Sequence, residues 1–152
     1  VRFVLKEKFG ENWAMEKYDN TKNWGEAVLS PSIVYSSLIM DLHGRYKENA
    51  FAELKGVVNV TGGGIPGNIV RILKKSHVGA RLHSLPETPE MMKKLIEYGN
   101  VSIEDAYRTW NMGVGMILIS NDVEKVAEAC AKRGIKMYEI GEVTEDEKID
   151  LE

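Results

Sequence analysis

The segment N-V-T-G-G-G-I-P-G-N, residues 59–68, constrains the fold of this chain more than any other. It follows an apolar, β-branched run that is typical of a buried strand, and Pro66 suits the first turn of a helix. Glycine has no Cβ, so the backbone at such a junction can turn sharply and approach a ligand closely. The segment therefore predicts a strand that turns at once into a helix.

Patterns typical of strands and helices alternate along the rest of the chain. The side chains predicted to cap helix starts are Thr88, Ser102, and Asn121 with Glu124. Strands are predicted at residues 33–35, 54–61, 78–85, 113–120 and 135–140. This alternation predicts an α/β, or layered α+β, domain in which helices pack on a mixed central sheet.

The chain of 152 residues is long enough for one domain with a real core. It begins without methionine, and a helical apolar stripe is already under way at Val1, so we expect it to be a fragment of a longer protein. The predicted divisions are an initial helix and irregular segment at 1–24, a core at 25–143, and a solvated acidic tail at 144–152.

Composition excludes several classes of protein. The net charge of -3 and the isoelectric point near 5.7 argue against a nucleic-acid binder, which is usually basic. No apolar run has the length of a membrane span, and no signal peptide begins the chain, so no membrane partner is expected. The single cysteine, Cys130, forms no internal disulfide, which favours a cytoplasmic protein.

The glycine-rich segment is also the first candidate binding site. Glycines between a strand and a helix let backbone N–H groups converge on an anion, which the positive end of the helix dipole attracts. Four glycines within six residues exceed what a turn needs, although a tight turn without a ligand is the alternative. The predicted anion-binding residues here are Thr61, Gly62, Gly63, Gly64 and Asn68.

Two nucleotide motifs fit this segment less well. Gly62, Gly64 and Gly67 match the dinucleotide pattern G-x-G-x-x-G, but a proline lies inside the motif and the following helix is short. The Walker pattern fails because Asn68 stands where that motif has lysine. A general phosphate-binding loop is therefore the favoured interpretation.

The second candidate is D-A-Y-R-T-W-N-M-G-V-G-M, residues 105–116, where a helix gives way to a strand. Arg108 can bind a phosphate, Thr109 and Asn111 can donate hydrogen bonds, and Gly113 lets a ligand approach the backbone. A helix end followed by a packing glycine is the equally open alternative. Because ligands of α/β domains gather at one end of the strands, we expect this segment to meet the glycine-rich one.

Other reactive side chains are predicted to be structural. His43, His77 and His83 have no metal-ligand spacing, so no metal site is predicted. Cys130 lies on the apolar face predicted for the helix after residue 121, with Val123, Val126 and Ala127. No catalytic acid or base is identified from the residues.

Three strings together resemble a known family: V-T-G-G-G-I-P-G-N-I-V-R-I-L, D-A-Y-R-T-W-N-M-G-V-G-M-I-L-I and Y-E-I-G-E-V. They are similar to the C-terminal domain of the phosphoribosylformylglycinamidine cyclo-ligase family, also called AIR synthetase, and the similarity runs from about residue 25 to 143. The resemblance implies a homodimeric, two-domain purine-biosynthesis enzyme. That enzyme uses ATP and Mg²⁺ to close the imidazole ring of formylglycinamidine ribonucleotide, giving aminoimidazole ribonucleotide, ADP and phosphate.

The resemblance also implies that the ATP and metal residues lie mainly in an N-terminal domain that this chain lacks, so the chain alone is expected to be inactive. Asn59 is included among the predicted site residues because many members of the family have histidine there. Asparagine does not titrate near neutral pH, so it cannot replace an acid–base histidine. The alternative is a non-catalytic phosphate- or nucleotide-binding or partner module of the same superfamily.

Overall fold

The computed structural model describes residues 1–46 and 48–151. Within them the α-helices are α1 (Arg2–Phe9), α2 (Trp24–Val28), α3 (Ser36–His43), α4 (Gly64–Leu73), α5 (Glu90–Gly99), α6 (Ile103–Thr109) and α7 (Val123–Lys132). The strands are β1 (Leu54–Asn59), β2 (Gly79–Leu82), β3 (Met116–Ser120), β4 (Gly141–Thr144) and β5 (Ile149–Leu151), and short 3₁₀ turns occupy Trp13–Met15 and Lys74–Ser76. The α+β class is confirmed.

The strands form two small sheets. Strand β1 pairs antiparallel with β3, with Val58 opposite Ile117. The second sheet has the order β4-β2-β5, in which β2 is antiparallel to β4 and parallel to β5. The predicted combination of a mixed sheet and packed helices is present, with the strands divided between two sheets.

Helix α4 joins the two sheets through the largest core. Its apolar residues recur at helical spacing, and Ile65, Ile69 and Leu73 are buried. They pack with Val58 and Ile117 of the first sheet and with residues of β2. Because α4 follows the glycine-rich segment directly, this core fixes where that segment lies.

Helices α3 and α7 cover the other face of the β1–β3 sheet. Leu38 and Leu42 of α3 pack against Val126, Ala129 and Cys130 of α7. Cys130 is buried in this core, as predicted, but Val123 and Ala127 are exposed. The inward face follows the spacing i, i+3 and i+4 from residue 126, so Ala129 occupies the place expected for Ala127.

A third core joins α1, α2 and α5 around Trp24, which is fully buried. Asn23 begins α2 with a capping box, since its side chain accepts from the N–H of Glu26, whose carboxylate accepts from the N–H of Asn23. Tyr18 lies edge-on to Trp24 with the ring centroids 4.8 Å apart. Residues 1–24 are therefore packed onto the domain.

Two predicted helix starts are wrong and one is confirmed. Helix α5 begins after Pro89, whose ψ of 143° is extended, so proline itself stands where Thr88 was expected to cap. Helix α7 begins after Asp122, one residue later than the start predicted at Asn121. The Asp122 carboxylate makes no bond to the helix and instead accepts the N–H of Glu53 at 2.7 Å, which holds the start of β1. Ser102 caps α6 as predicted, since its Oγ accepts from the N–H of Asp105 at 3.1 Å.

Three strand predictions also need correction. Residues 33–35 and 135–140 belong to no strand, and the strand expected at 113–120 begins only at Met116. That strand pairs with β1 alone, in a two-stranded sheet. Tyr35 instead leads directly into α3, and Met112 and Gly113 have φ values of 50° and 90°, which no strand residue adopts.

The acidic tail is partly structured. Ile149–Leu151 form strand β5 beside β2, so the prediction that residues 144–152 are simply solvated is wrong for the part of the tail that the structure describes. The segment before β5 passes so close to Gly79 that a Cβ added to this glycine would overlap the carbonyl oxygens of Asp146 and Lys148. Within the described residues, no helix is long and apolar enough to cross a membrane.

Candidate functional site

The glycine-rich segment forms an exposed loop between β1 and α4. Gly63 and Gly64 have φ values of 97° and 62°, a backbone region that glycine enters without the strain a Cβ would cause. The Gly64 N–H donates to the Thr61 carbonyl at 3.1 Å, which closes the turn. The predicted strand–turn–helix arrangement is confirmed.

Backbone N–H groups of this loop are free to bind an anion. Among the hydrogen bonds of the described residues, the N–H groups of Gly62, Gly63 and Ile65 have no acceptor, and Pro66 has no N–H to offer. Thr61, Gly62 and Gly63 are exposed. Ile65 is fully buried, so the loop presents the unpaired N–H donors of Gly62 and Gly63 at the positive end of a ten-residue helix.

Asn68 holds the loop in this shape. Its side chain is 3% exposed, and Nδ2 donates to the carbonyl oxygens of Gly64 at 2.7 Å, Gly62 at 3.3 Å and Thr61 at 3.4 Å. Its Oδ1 lies 3.4 Å from the Thr61 hydroxyl. Asn68 was predicted as a ligand, but its amide is committed to loop carbonyls and so positions the loop.

The loop rests on the end of α6. A Cβ on Gly64 would overlap the carbonyl oxygen of Tyr107 and lie 3.0 Å from that of Trp110. The two candidate segments therefore meet, as the sequence analysis expected. Gly64 is required for this contact between backbones, since any side chain would separate α4 from α6.

The polar residues of the second segment lie beside this contact. Arg108 is exposed and forms an ion pair with Glu104 one turn earlier, with 2.8 Å between Nη2 and Oε1. Thr109 is exposed, whereas the Asn111 side chain accepts from the Gly113 N–H at 3.2 Å and so stabilises the turn after α6. Arg108 and Thr109 thus have side chains available to a ligand, whereas the Oδ1 of Asn111 is engaged within the turn and only its Nδ2 is left to donate.

The glycines of the second segment are explained by packing. A Cβ on Gly113 would lie 2.7 Å from the ring of Pro89, and one on Gly115 would lie 2.5 Å from the hydroxyl of Tyr35. The neighbours that require glycine are therefore protein side chains. This agrees with the alternative of a packing glycine and leaves Gly113 without a direct argument for ligand contact.

Asn59 lies apart from the loop amides. It is exposed at the end of β1 and borders a shallow groove with Ile33, Tyr35, Ser36, Ile39, Met40 and Met116. The groove is on the α3 side of the sheet, because Val57 and Asn59 point away from the face that α4 covers. The structure therefore places Asn59 at the edge of the candidate site.

The sequence did not reveal the part played by carbonyl groups. The oxygens of Thr61, Gly62 and Gly64 orient Asn68, and those of Tyr107 and Trp110 fix the loop against α6. The only signal in the sequence was Asn68 itself, a buried polar residue among aliphatic ones. The described residues contain no group of three His, Cys, Asp or Glu side chains that could hold a metal ion.

Comparison with known proteins identifies the family. The sequence matches the family described as AIR synthase related protein, C-terminal domain, over residues 19–152. The chain belongs to this family. The resemblance stated from the residues is thereby confirmed, and the loop from Thr61 to Gly64 is a feature of an AIR synthase related C-terminal domain.

Several relatives of this C-terminal domain carry the name phosphoribosylformylglycinamidine cyclo-ligase. The protein of Caldanaerobacter subterraneus subsp. tengcongensis is 35% identical over 152 residues, which cover 97% of this chain and 42% of the relative. That of Carboxydothermus hydrogenoformans is 35% identical over 129 residues, or 84% and 36% of the two chains. The protein of Neisseria meningitidis is 30% identical over 131 residues, which cover 85% of this chain and 36% of the relative. The chain thus spans about two fifths of these relatives or less.

Proposed function

We propose that this chain is the C-terminal domain of an ATP-dependent phosphoribosylformylglycinamidine cyclo-ligase of purine biosynthesis. The enzyme converts formylglycinamidine ribonucleotide to aminoimidazole ribonucleotide and releases ADP and phosphate. The shared name of the relatives supports this proposal. We further propose that the complete protein is a cytoplasmic homodimer with an N-terminal ATP-binding domain.

The contribution of this chain is to bind a phosphate-bearing part of the substrate or nucleotide. The observation that carries this assignment is the pair of exposed, unpaired N–H groups at Gly62 and Gly63, at the start of α4. Hydrogen bonds from backbone N–H groups to an anion are charge-assisted, and the helix dipole adds to them. They bind and orient the phosphate without any titrating side chain.

Arg108 and Thr109 complete the anion site from α6. Arg108 must leave Glu104 to reach a ligand, and an exposed ion pair of this kind contributes only about 0–1 kcal/mol, so the exchange costs little. A bidentate contact from guanidinium to phosphate is stronger than the pair it replaces. Thr109 offers a hydroxyl beside it.

The described residues of this chain offer N–H donors for a phosphate and no preformed cluster of side chains for a metal ion. No group of three metal-ligating side chains exists among the described residues, whereas the loop supplies the N–H donors that phosphates prefer. We therefore place Mg²⁺ and most of the ATP contacts in the proposed N-terminal domain. Asn59 has no titratable group, so it does not act as the acid or base of the reaction.

The loop assignment is tested by Gly62→Val in the complete protein. Gly62 has no positive φ, and an added Cβ meets nothing within 4 Å, so the fold should persist while bulk is added where the anion approaches. We expect the Kd for formylglycinamidine ribonucleotide to rise about tenfold or more, as two weakened charge-assisted hydrogen bonds imply. Calorimetry measures this change.

Gly67→Ala is the matched control. Its Cβ also meets nothing within 4 Å, but Gly67 lies beyond the free N–H groups, in the helix. The affinity of the Gly67→Ala protein for formylglycinamidine ribonucleotide should match that of the unchanged protein. Equal affinities for both variants would mean that the glycines only turn the chain. Gly63→Val is a poorer test, because at its φ of 97° valine strains the backbone whether or not a ligand binds.

The activity assignment has its own test. We expect the complete gene product to form aminoimidazole ribonucleotide from formylglycinamidine ribonucleotide, ATP and Mg²⁺, and the 152-residue chain alone to form none. Turnover by the chain alone would contradict the two-domain proposal. A folded complete protein that binds the substrate without turnover would instead support the non-catalytic binding module.

A further inference from the structure

The shallow groove beside the end of β1 has a volume of about 480 Å³. Its walls are mainly apolar and are formed by Ile33, Tyr35, Ile39, Met40 and Met116. Binding sites for small molecules have volumes in this range, mostly apolar walls and a few polar groups that fix the orientation of the ligand. The size and lining of the groove are therefore those of a site for part of a small molecule.

The apolar walls of the groove are open and adaptable. Met40 of α3 is 41% exposed, and Ile33, just before α3, is 55% exposed. Met116 of β3 is half-buried on the other side of the groove. Methionine is unbranched and polarizable, so it adjusts to the shape of a ligand and packs well against flat, unsaturated groups. These walls suit a planar group of atoms.

Two polar side chains at the groove are free to bind a ligand. Asn59 is exposed at the end of β1, and Ser36 is exposed at the start of α3. Among the described residues, neither side chain makes a hydrogen bond. The amide of Asn59 donates through Nδ2 and accepts through Oδ1. It therefore suits a ligand that carries a donor and an acceptor close together.

The groove lies within reach of a ligand that the glycine-rich loop holds. Asn59 and Gly62 are three residues apart, so their Cα atoms are separated by at most about 11 Å. A ribonucleotide carries its phosphate on one side of the pentose and its nitrogen-bearing group on the other, which is a separation of the same order. None of the described residues that line the groove is charged, whereas the loop offers donors to an anion. The two places thus fit opposite ends of one molecule.

We propose that the groove receives the end of formylglycinamidine ribonucleotide that bears the formamide and amidine groups, while the loop holds the phosphate. This inference rests on the proposed function. The apolar walls pack against these planar groups. The Oδ1 of Asn59 accepts from an amidine N–H, and its Nδ2 donates to the formamide oxygen. Asn59 thereby distinguishes this substrate from other phosphorylated sugars.

Calorimetry on the complete protein with two ligands tests the groove. Asn59→Leu nearly keeps the size of the side chain and removes both hydrogen bonds. We expect the Kd for formylglycinamidine ribonucleotide to rise about tenfold, and the Kd for ribose 5-phosphate, measured by competition, to stay unchanged. Val57→Leu is the matched control, because Val57 lies on the same face of β1 but does not line the groove. Both Kd values should be unchanged in the control.

Gly62→Val separates this inference from the proposed function. It should raise the Kd for both ligands, since the loop holds the phosphate that they share. If Asn59→Leu raises both Kd values equally, or neither, the inference is overturned while the assignment of the loop stands. If the unchanged protein binds neither ligand, the proposed function fails and the inference fails with it. Unchanged Kd values together with a lower thermal midpoint for Asn59→Leu would assign the groove to a contact with the proposed N-terminal domain instead.

Discussion

Gly64→Ala is expected to lower the free energy of unfolding by about 2–4 kcal/mol, more than most single substitutions. The added Cβ overlaps the carbonyl oxygen of Tyr107, and backbone atoms cannot rotate away as a flexible side chain can. The φ of 62° adds about 1 kcal/mol for any residue that carries a Cβ. Either the start of α4 or the end of α6 must move.

Urea unfolding of the 152-residue chain measures this loss, and Gly67→Ala is its control. Gly67 lies in the same helix with open space around it, so alanine there should stabilise the helix by about 0.5–1 kcal/mol. The two variants add the same methyl group at positions three residues apart, and the free energy of unfolding is expected to fall in Gly64→Ala and to rise in Gly67→Ala. If both are equally stable, the contact between α4 and α6 is not tight.

Asn68→Asp should have a comparable effect for an electrostatic reason. The Nδ2 group that donates to the carbonyls of Gly64, Gly62 and Thr61 is replaced by a carboxylate oxygen, which those oxygens repel. The position is 3% exposed, so the charge is buried without a partner. We expect a loss of about 2–4 kcal/mol at pH 7, together with the loss of anion binding by the loop.

The pH dependence distinguishes charge from lost packing. The folded environment raises the pKa of the new carboxyl above its unfolded value of about 3.9, so the destabilisation is small below that pH and grows as pH rises toward the folded pKa. Asn68→Ala removes the same donors without a charge and should show no such dependence. Thermal unfolding of both variants at pH 4 and pH 7 tests this. An Asp variant as stable as the unchanged chain at pH 7 would contradict the account of the loop.

The sequence predicted the centre of the fold better than its margins. The run of β-branched residues, glycines and Pro66 predicted the junction of β1 and α4, because strand propensity, glycine freedom and the position of proline all act locally. The Ser102 cap was predicted for the same reason. The role of Asn68 was not, since the donors and acceptors it joins depend on a turn whose shape the sequence does not state.

Errors arose where distant residues decide the outcome. The sequence left open whether Gly113 serves ligand approach or packing, and only the fold shows that the ring of Pro89 occupies the place of a Cβ there. The last residues were predicted to be solvated because they are acidic, yet β2 offers an edge that Ile149 and Leu151 can pair with. Residues 135–140 have the composition of a strand, yet they belong to none.

Strand pairing in this domain has a consequence for its synthesis. Each ladder joins distant residues, from 57 positions between Asn59 and Met116 to 69 between Ala80 and Ile149. A ribosome adds about 5–20 residues per second, so roughly 3–11 s pass between the synthesis of β1 and that of its partner β3. During that interval its apolar residues and unpaired backbone groups are open to other nascent chains. Slowing translation should therefore increase aggregation and dependence on chaperones, although the finished fold is unaltered.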